Sequence, residues 1–109
     1  MENNMAFSNE APFQVRKHIA LLNGVNVETI TADKTLTVAD STFQILGGAS
    51  DFDVNLPAET DGIWYWVKNS GANNLVVKDD GGATIATVAT TEGALFVCNG
   101  SAWYAVIKA

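Results

Sequence analysis

The sequence predicts an all-β protein, and three observations carry that expectation. From Val27 onward, short runs rich in Val, Ile, Thr and aromatic residues are punctuated by Gly, Asn, Asp and Ser at intervals of about eight to twelve residues. Within several runs apolar and polar residues alternate strictly, the period of a strand with one dry and one wet face. No segment repeats its apolar residues at a helical spacing. The pattern is that of a β-sandwich or barrel, with strands expected at 27–31, 35–38, 42–46, 52–56, 63–68, 74–78, 84–88, 94–98 and 102–107.

Residues 1–26 differ in character and are expected to form an N-terminal arm, leaving 27–109 as one β domain. The arm is Asn-rich at its start, carries Phe7, Pro12 and Phe13 among polar residues, and continues into the basic trio Arg16, Lys17 and His18. The apolar piece Ile19–Leu22 is stopped by Asn23-Gly24, too soon for a helix that could stand alone in water.

In the first half of the domain, Leu36 and Val38, then Phe43 and Ile45, then Phe52, Val54 and Leu56 fall on one face. Thr37, Gln44, Asp53 and Asn55 take the other. Pro57 cannot donate to a ladder and closes the fourth run, and Asp61-Gly62 turns the chain into the fifth. The strongest turn signal is Asn99-Gly100, since both residues tolerate the positive φ of a two-residue type I′ hairpin loop. That loop would set Cys98 opposite Ser101 and Phe96 opposite Trp103.

The second half is apolar on both faces. The last hairpin has Phe96, Cys98, Trp103 and Ile107 on one side and Leu95, Val97, Tyr104 and Val106 on the other. Ile63, Tyr65 and Val67 likewise back onto Trp64 and Trp66, and Leu75-Val76-Val77 is apolar throughout. A two-sheet domain covers only one face of each sheet. The second cover must come from the arm, from another copy or from a larger assembly.

Length and charge exclude several function classes. At 109 residues there is room for one domain, whose folding hides roughly two thirds of the extended chain's surface. Twelve acidic against six basic side chains give a formal charge of −6, unfavourable for nucleic acid or an anionic membrane, both of which draw on clustered Lys and Arg. The apolar runs are far shorter than the roughly twenty residues of a membrane-spanning helix, and MENNMAF lacks the features of a signal peptide. One cysteine and one histidine leave no disulfide framework and no Cys/His zinc site, so no cofactor is expected.

Chemistry is thinly represented. The single histidine, His18, lies in the arm beside two cations and reads as part of a solvated basic cluster, so no enzyme is expected. Asp51-Phe52-Asp53 and Asp79-Asp80-Gly81-Gly82 could each offer oxygen ligands to Ca²⁺, but neither matches an EF-hand loop, and ordinary turns and strand edges explain both. Cys98 reads as a small buried hydrophobe. Trp64, Tyr65, Trp66, Trp103 and Tyr104 could stack on sugar rings, but packing in a core or a subunit contact is the simpler reading of a two-faced pattern.

Residues 63–109, IWYWVKNSGANNLVVKDDGGATIATVATTEGALFVCNGSAWYAVIKA, resemble a module of small structural proteins in tailed bacteriophage virions. The shared elements are a strand ending VKN, a Gly-Ala-Asn turn, a Gly-Gly-x-Thr-Ile segment, and a hairpin whose Asn-Gly precedes Trp-Tyr. Residues 33–62, DKTLTVADSTFQILGGASDFDVNLPAETDG, are similar to the matching first half. The module occurs in head decoration (cement) proteins and in fibres or tail spikes; a single β domain behind an arm, with no repetitive shaft, is closer to decoration.

The decoration-protein resemblance implies a jelly-roll-like β-sandwich of about eight or nine short antiparallel strands with an extended N-terminal arm. It implies a homotrimer on the outer surface of an icosahedral head, bridging subunits of the major capsid protein. The residues expected to make those contacts are Phe7, Phe13, Arg16, Lys17, Ile19, Leu21, Leu22, Trp64, Trp66 and Tyr104. The alternative implied is a receptor- or glycan-binding module of a fibre or tail spike, with Trp64, Trp66 or Tyr104 as the stacking platform.

Overall fold

A computed structural model of the chain describes residues 23–108. Among them nine strands form and no helix does: β1 (Val25–Ile30), β2 (Lys34–Thr35), β3 (Phe43–Gly48), β4 (Phe52–Asn55), β5 (Trp64–Asn69), β6 (Leu75–Lys78), β7 (Thr84–Val88), β8 (Gly93–Cys98) and β9 (Trp103–Lys108). Each falls within two residues of an expected run, except that β2 is cut to two residues. β1 takes in Val25 and Asn26, at the border of the expected arm.

The strands make a five-stranded sheet, in order β1-β3-β5-β8-β9, and a four-stranded sheet, in order β2-β4-β6-β7. From β1 to β6 the chain crosses from one sheet to the other at every step. Successive strands in each sheet therefore run the same way: β1, β3 and β5 pair in parallel, as do β2, β4 and β6. A parallel pair needs a crossover between its members, and here the strand of the opposite sheet supplies it. The result is three stacked coils of a two-sided solenoid. β7, β8 and β9 then close the end in antiparallel fashion. The expected antiparallel jelly roll is thus not what these strands form: antiparallel pairing is confined to the β6–β7 and β8–β9 hairpins and to the return of β8 beside β5.

The corners explain why the coils stack. A Cβ on Gly47 would lie 2.9 Å from the Gly71 backbone nitrogen, and one on Gly71 would lie 2.9 Å from that of Gly48, so adjacent turns touch backbone to backbone. Two aspartates tie coil to coil. Asp33 Oδ1 accepts the Asp53 N–H and Asp51 Oδ1 accepts the Asn74 N–H, both at 2.8 Å. Asn69 is buried and fully used: its amide donates to the carbonyls of Asn73 and Val88 and accepts the Gly71 N–H. A buried amide so satisfied fixes the corner instead of weakening the core.

The core lies between the sheets. Leu46, Tyr65, Val67, Ala94, Phe96, Cys98 and Trp103 face Leu36, Val54, Leu56, Leu75, Val77 and Val88. In β3 the expected alternation holds but its phase is reversed, because Gln44 and Leu46 point inward and Phe43 and Ile45 outward. Register decides this: Gln44 pairs with the buried Val67, and its amide is satisfied by the Ser41 carbonyl and the Asn26 side chain. Val38, expected on the buried face, is 71% exposed in the turn after β2.

The last hairpin keeps its two expected faces but shifts register by two residues. Cys98 pairs with Trp103 and Phe96 with Ala105, leaving a four-residue loop, 99–102. Only Gly100 takes a positive φ, 93°. Asn99 instead accepts the N–H groups of Ser101 and Ala102 on its side-chain oxygen, an Asx-type turn that competes with the I′ geometry.

Candidate interaction surface

Strict alternation means that whatever the five-stranded sheet turns away from the core must lie together on its far side. Registers place Val25 beside Phe43, Phe43 beside Trp66, Trp66 beside Leu95, and Leu95 beside Val106. This is one unbroken apolar row across all five strands. A second row runs Trp64, Val97, Tyr104, and Val27 and Ile45 extend a third. With strands about 4.8 Å apart and a rise of about 3.3 Å per residue, these ten apolar positions cover on the order of 300 Å2. That is the size at which an apolar patch on a monomer tends to be functional.

Local packing shapes the field. Phe43 meets Trp64 edge to face, with ring centroids 5.7 Å apart and planes at 86°. The Trp66 indole lies over Gly93, where a Cβ would come within 2.7 Å of it. No acidic side chain stands on the outward positions of these five strands; Lys68 and Lys108 flank Gly93, and the Lys68 ammonium donates to the Thr91 carbonyl. β1 keeps the phase of β3, but of its inward positions only Ile30 enters the core. Asn26 and Glu28, in the inward phase, cap the open end of the solenoid with an ion pair from Glu28 to Lys34 at 3.0 Å, while Val25 and Val27 point out and Val27 is 72% exposed. The Asn26 amide and then Lys34 hold the Glu28 carboxyl below its ordinary value.

The structure brings together the three candidates it describes, Trp64, Trp66 and Tyr104. Sequence reasoning placed Leu95, Val97, Tyr104 and Val106 on one face; Val25, Val27, Phe43 and Ile45 were missed as members of this surface. Two of the five candidate stacking aromatics belong elsewhere. Trp103 is buried and donates its indole N–H to the Pro57 carbonyl, and Tyr65 is buried 6.1 Å from it, donating its hydroxyl to the Thr37 carbonyl at 2.7 Å. Burial, with a smaller contribution from Asp40, pushes the Tyr65 phenol above its ordinary value. Phe7, Phe13, Arg16, Lys17, His18, Ile19, Leu21 and Leu22 lie outside the described residues.

Three of the four carboxylates weighed as cation ligands are engaged within the fold, and the fourth, Asp80, is exposed in the turn before Gly81. Asp51 holds the Asn74 N–H, Asp53 pairs with Lys78 at 2.9 Å, and Asp79 accepts the N–H groups of Gly81 and Ala83. Among the described residues no three His, Cys, Asp or Glu side chains converge. A groove of about 750 Å3 lies between the ends of β2 and β4 and the turn at Gly81, floored by Leu36, Leu56 and Pro57 and edged by Thr35, Thr37 and Asn55. Asp80 is the one titratable side chain in its lining, which therefore holds no acid–base pair. Compared with protein-family models, curated proteins and solved structures, the chain finds a match in none of the three.

Proposed function

We propose that this is a structural virion protein that binds the outside of an icosahedral phage head and stabilises it by bridging subunits of the major capsid protein. The observation that carries the reading is the apolar outer face of the five-stranded sheet, on a small acidic domain whose described carboxylates largely serve its own corners. Such a surface suits assembly, and the resemblance supplies the class of assembly. Phe7, Phe13, Ile19, Leu21 and Leu22 act as apolar anchors on the shell, with Arg16 and Lys17 meeting acidic groups there. Contacts that are weak singly become strong when several are engaged at once.

Co-sedimentation with undecorated heads of the phage that encodes the chain tests this. The intact protein is expected to bind in a salt-tolerant manner. Replacing Phe7 and Phe13 by Ala removes two buried rings and weakens binding by about tenfold or more. Failure of the intact protein to bind would overturn the proposal. The second reading, a glycan-binding fibre or tail-spike module, is favoured by Trp64 and Tyr104 flanking Val97 in one exposed row; a saccharide-dependent fluorescence change lost in Trp64→Ala would support it.

A further inference from the structure

We infer that the outer face of the five-stranded sheet is the contact surface for a second copy of this chain, the two copies packing sheet against sheet. The order of side chains in the continuous row is the first reason. Val25, Phe43, Trp66, Leu95 and Val106 run small, large, largest, large, small across the five strands, with Trp66 on the central strand. A two-fold axis along β5 sets Val25 against the partner's Val106, Phe43 against the partner's Leu95, and the two Trp66 side chains together at the centre. The axis therefore lays the row onto itself, like against like, with the two flat indoles free to stack at its centre. Gly93 leaves room for the Trp66 indole to lie flat, and a rigid aromatic at the centre of a dry patch is where binding energy concentrates.

Charge is the second reason. Each chain carries a formal −6, so two copies repel on most approaches, yet the outward positions of these strands hold no acidic side chain and only two charges, Lys68 and Lys108, with the Lys68 ammonium engaged by the Thr91 carbonyl. The composition of β1 is the third. Asn26 and Glu28 are polar at inward positions and only Ile30 enters the core, whereas Val25 and Val27 carry the apolar field out to the sheet margin. Two whole faces, polar positions included, remove on the order of 1,000 Å2 from water, at the low end for specific contacts; area alone does not fix affinity at that size, and we place the pairing in the reversible, roughly micromolar range. Paired copies present two arms to a shell, which adds avidity to the proposed head binding but does not depend on it. Pairing departs from the three copies that the resemblance implies.

Sedimentation equilibrium of the full chain from about 1 to several hundred µM decides the matter. The expected result is a shift from the 11.6 kDa chain to twice that mass. Val106→Glu and Val25→Glu, at exposed outward positions that leave the core untouched, are expected to raise the midpoint at least about thirtyfold, by burying unpaired carboxylates. Val38→Glu, equally exposed but off this face, leaves it unchanged. A chain monomeric throughout, a closed trimer, or a dimer insensitive to both face substitutions would each overturn the inference. Head binding is scored separately by co-sedimentation, so its failure leaves this result standing.

Discussion

Tyr65 joins the interior of the fold to its pH response. Its hydroxyl donates to the Thr37 carbonyl while its ring packs beside Trp103, so ionisation would place a phenolate in a site built for a neutral donor. The pKa is raised, first by burial and then by Asp40. The protonated form is favoured by folding, so this contribution is fully present below the ordinary phenol value of about 10 and is lost as pH rises through the folded value. Urea unfolding between about pH 8 and 11 should show the wild type losing stability at the alkaline end. Tyr65→Phe should be less stable by about 1 kcal/mol at neutral pH and flatter across that range. An equally steep alkaline loss in Tyr65→Phe would assign the titration to another group. Sequence alone placed Tyr65 on a two-faced strand without saying which face was dry; the bond to Thr37, 28 residues away, is the kind of contact that only the closed fold reveals.

At the scale of elements, strands were legible and their partners were not. Alternation and turn residues locate the strands because they report local conformation, and β3 to β9 lie close to the expected runs. Pairing direction depends on whether a turn returns the chain to the same sheet or passes it across. Nothing in Asp-Phe-Asp or Gly-Gly-Ala-Ser announces a corner of a coil. The signal that could have shown it is the roughly even spacing of equivalent positions, Val25, Phe43 and Trp66 in one sheet and Lys34, Val54 and Val77 in the other. The phase of β3 was misread for the same reason, since its buried Gln44 is intelligible only once Asn26 and Val67 lie beside it. The stacked corners make a direct prediction. Gly71→Ala drives a Cβ into the backbone of Gly47 and Gly48 and should cost about 1–3 kcal/mol in urea unfolding. Gly81→Ala, whose Cβ would meet only Asp79 Oδ1 at 3.4 Å, should be near neutral, and equal effects at the two sites would show that the coils do not stack this way.

On the scale of the whole molecule, the two-faced C-terminal strands forecast an uncovered surface, and the structure gives it an extent and a composition. The inner face of the large sheet closes the core with Phe96, Cys98 and Trp103, while its outer face leaves Trp64, Val97, Tyr104 and Val106 accessible. Half of this surface was readable because β5 and both strands of the last hairpin are apolar on both faces. The contribution of β1 and β3 was hidden, because it depends on parallel pairing with β5. Head binding rests on the face as a mark of assembly, on the arm for its anchors and on the resemblance for its class, whereas self-association rests on the face alone.

The three tryptophans offer the most direct measurement, since Trp103 is interior and Trp64 and Trp66 stand on the outer face. Quenching of tryptophan fluorescence by a neutral solute, followed from micromolar dilution to high concentration, should show a shielded fraction at every concentration from Trp103 and a second fraction, from Trp64 and Trp66, that becomes shielded as copies associate. Quenching that did not change with concentration, whether because all three indoles stayed accessible or because all three stayed protected, would contradict the account.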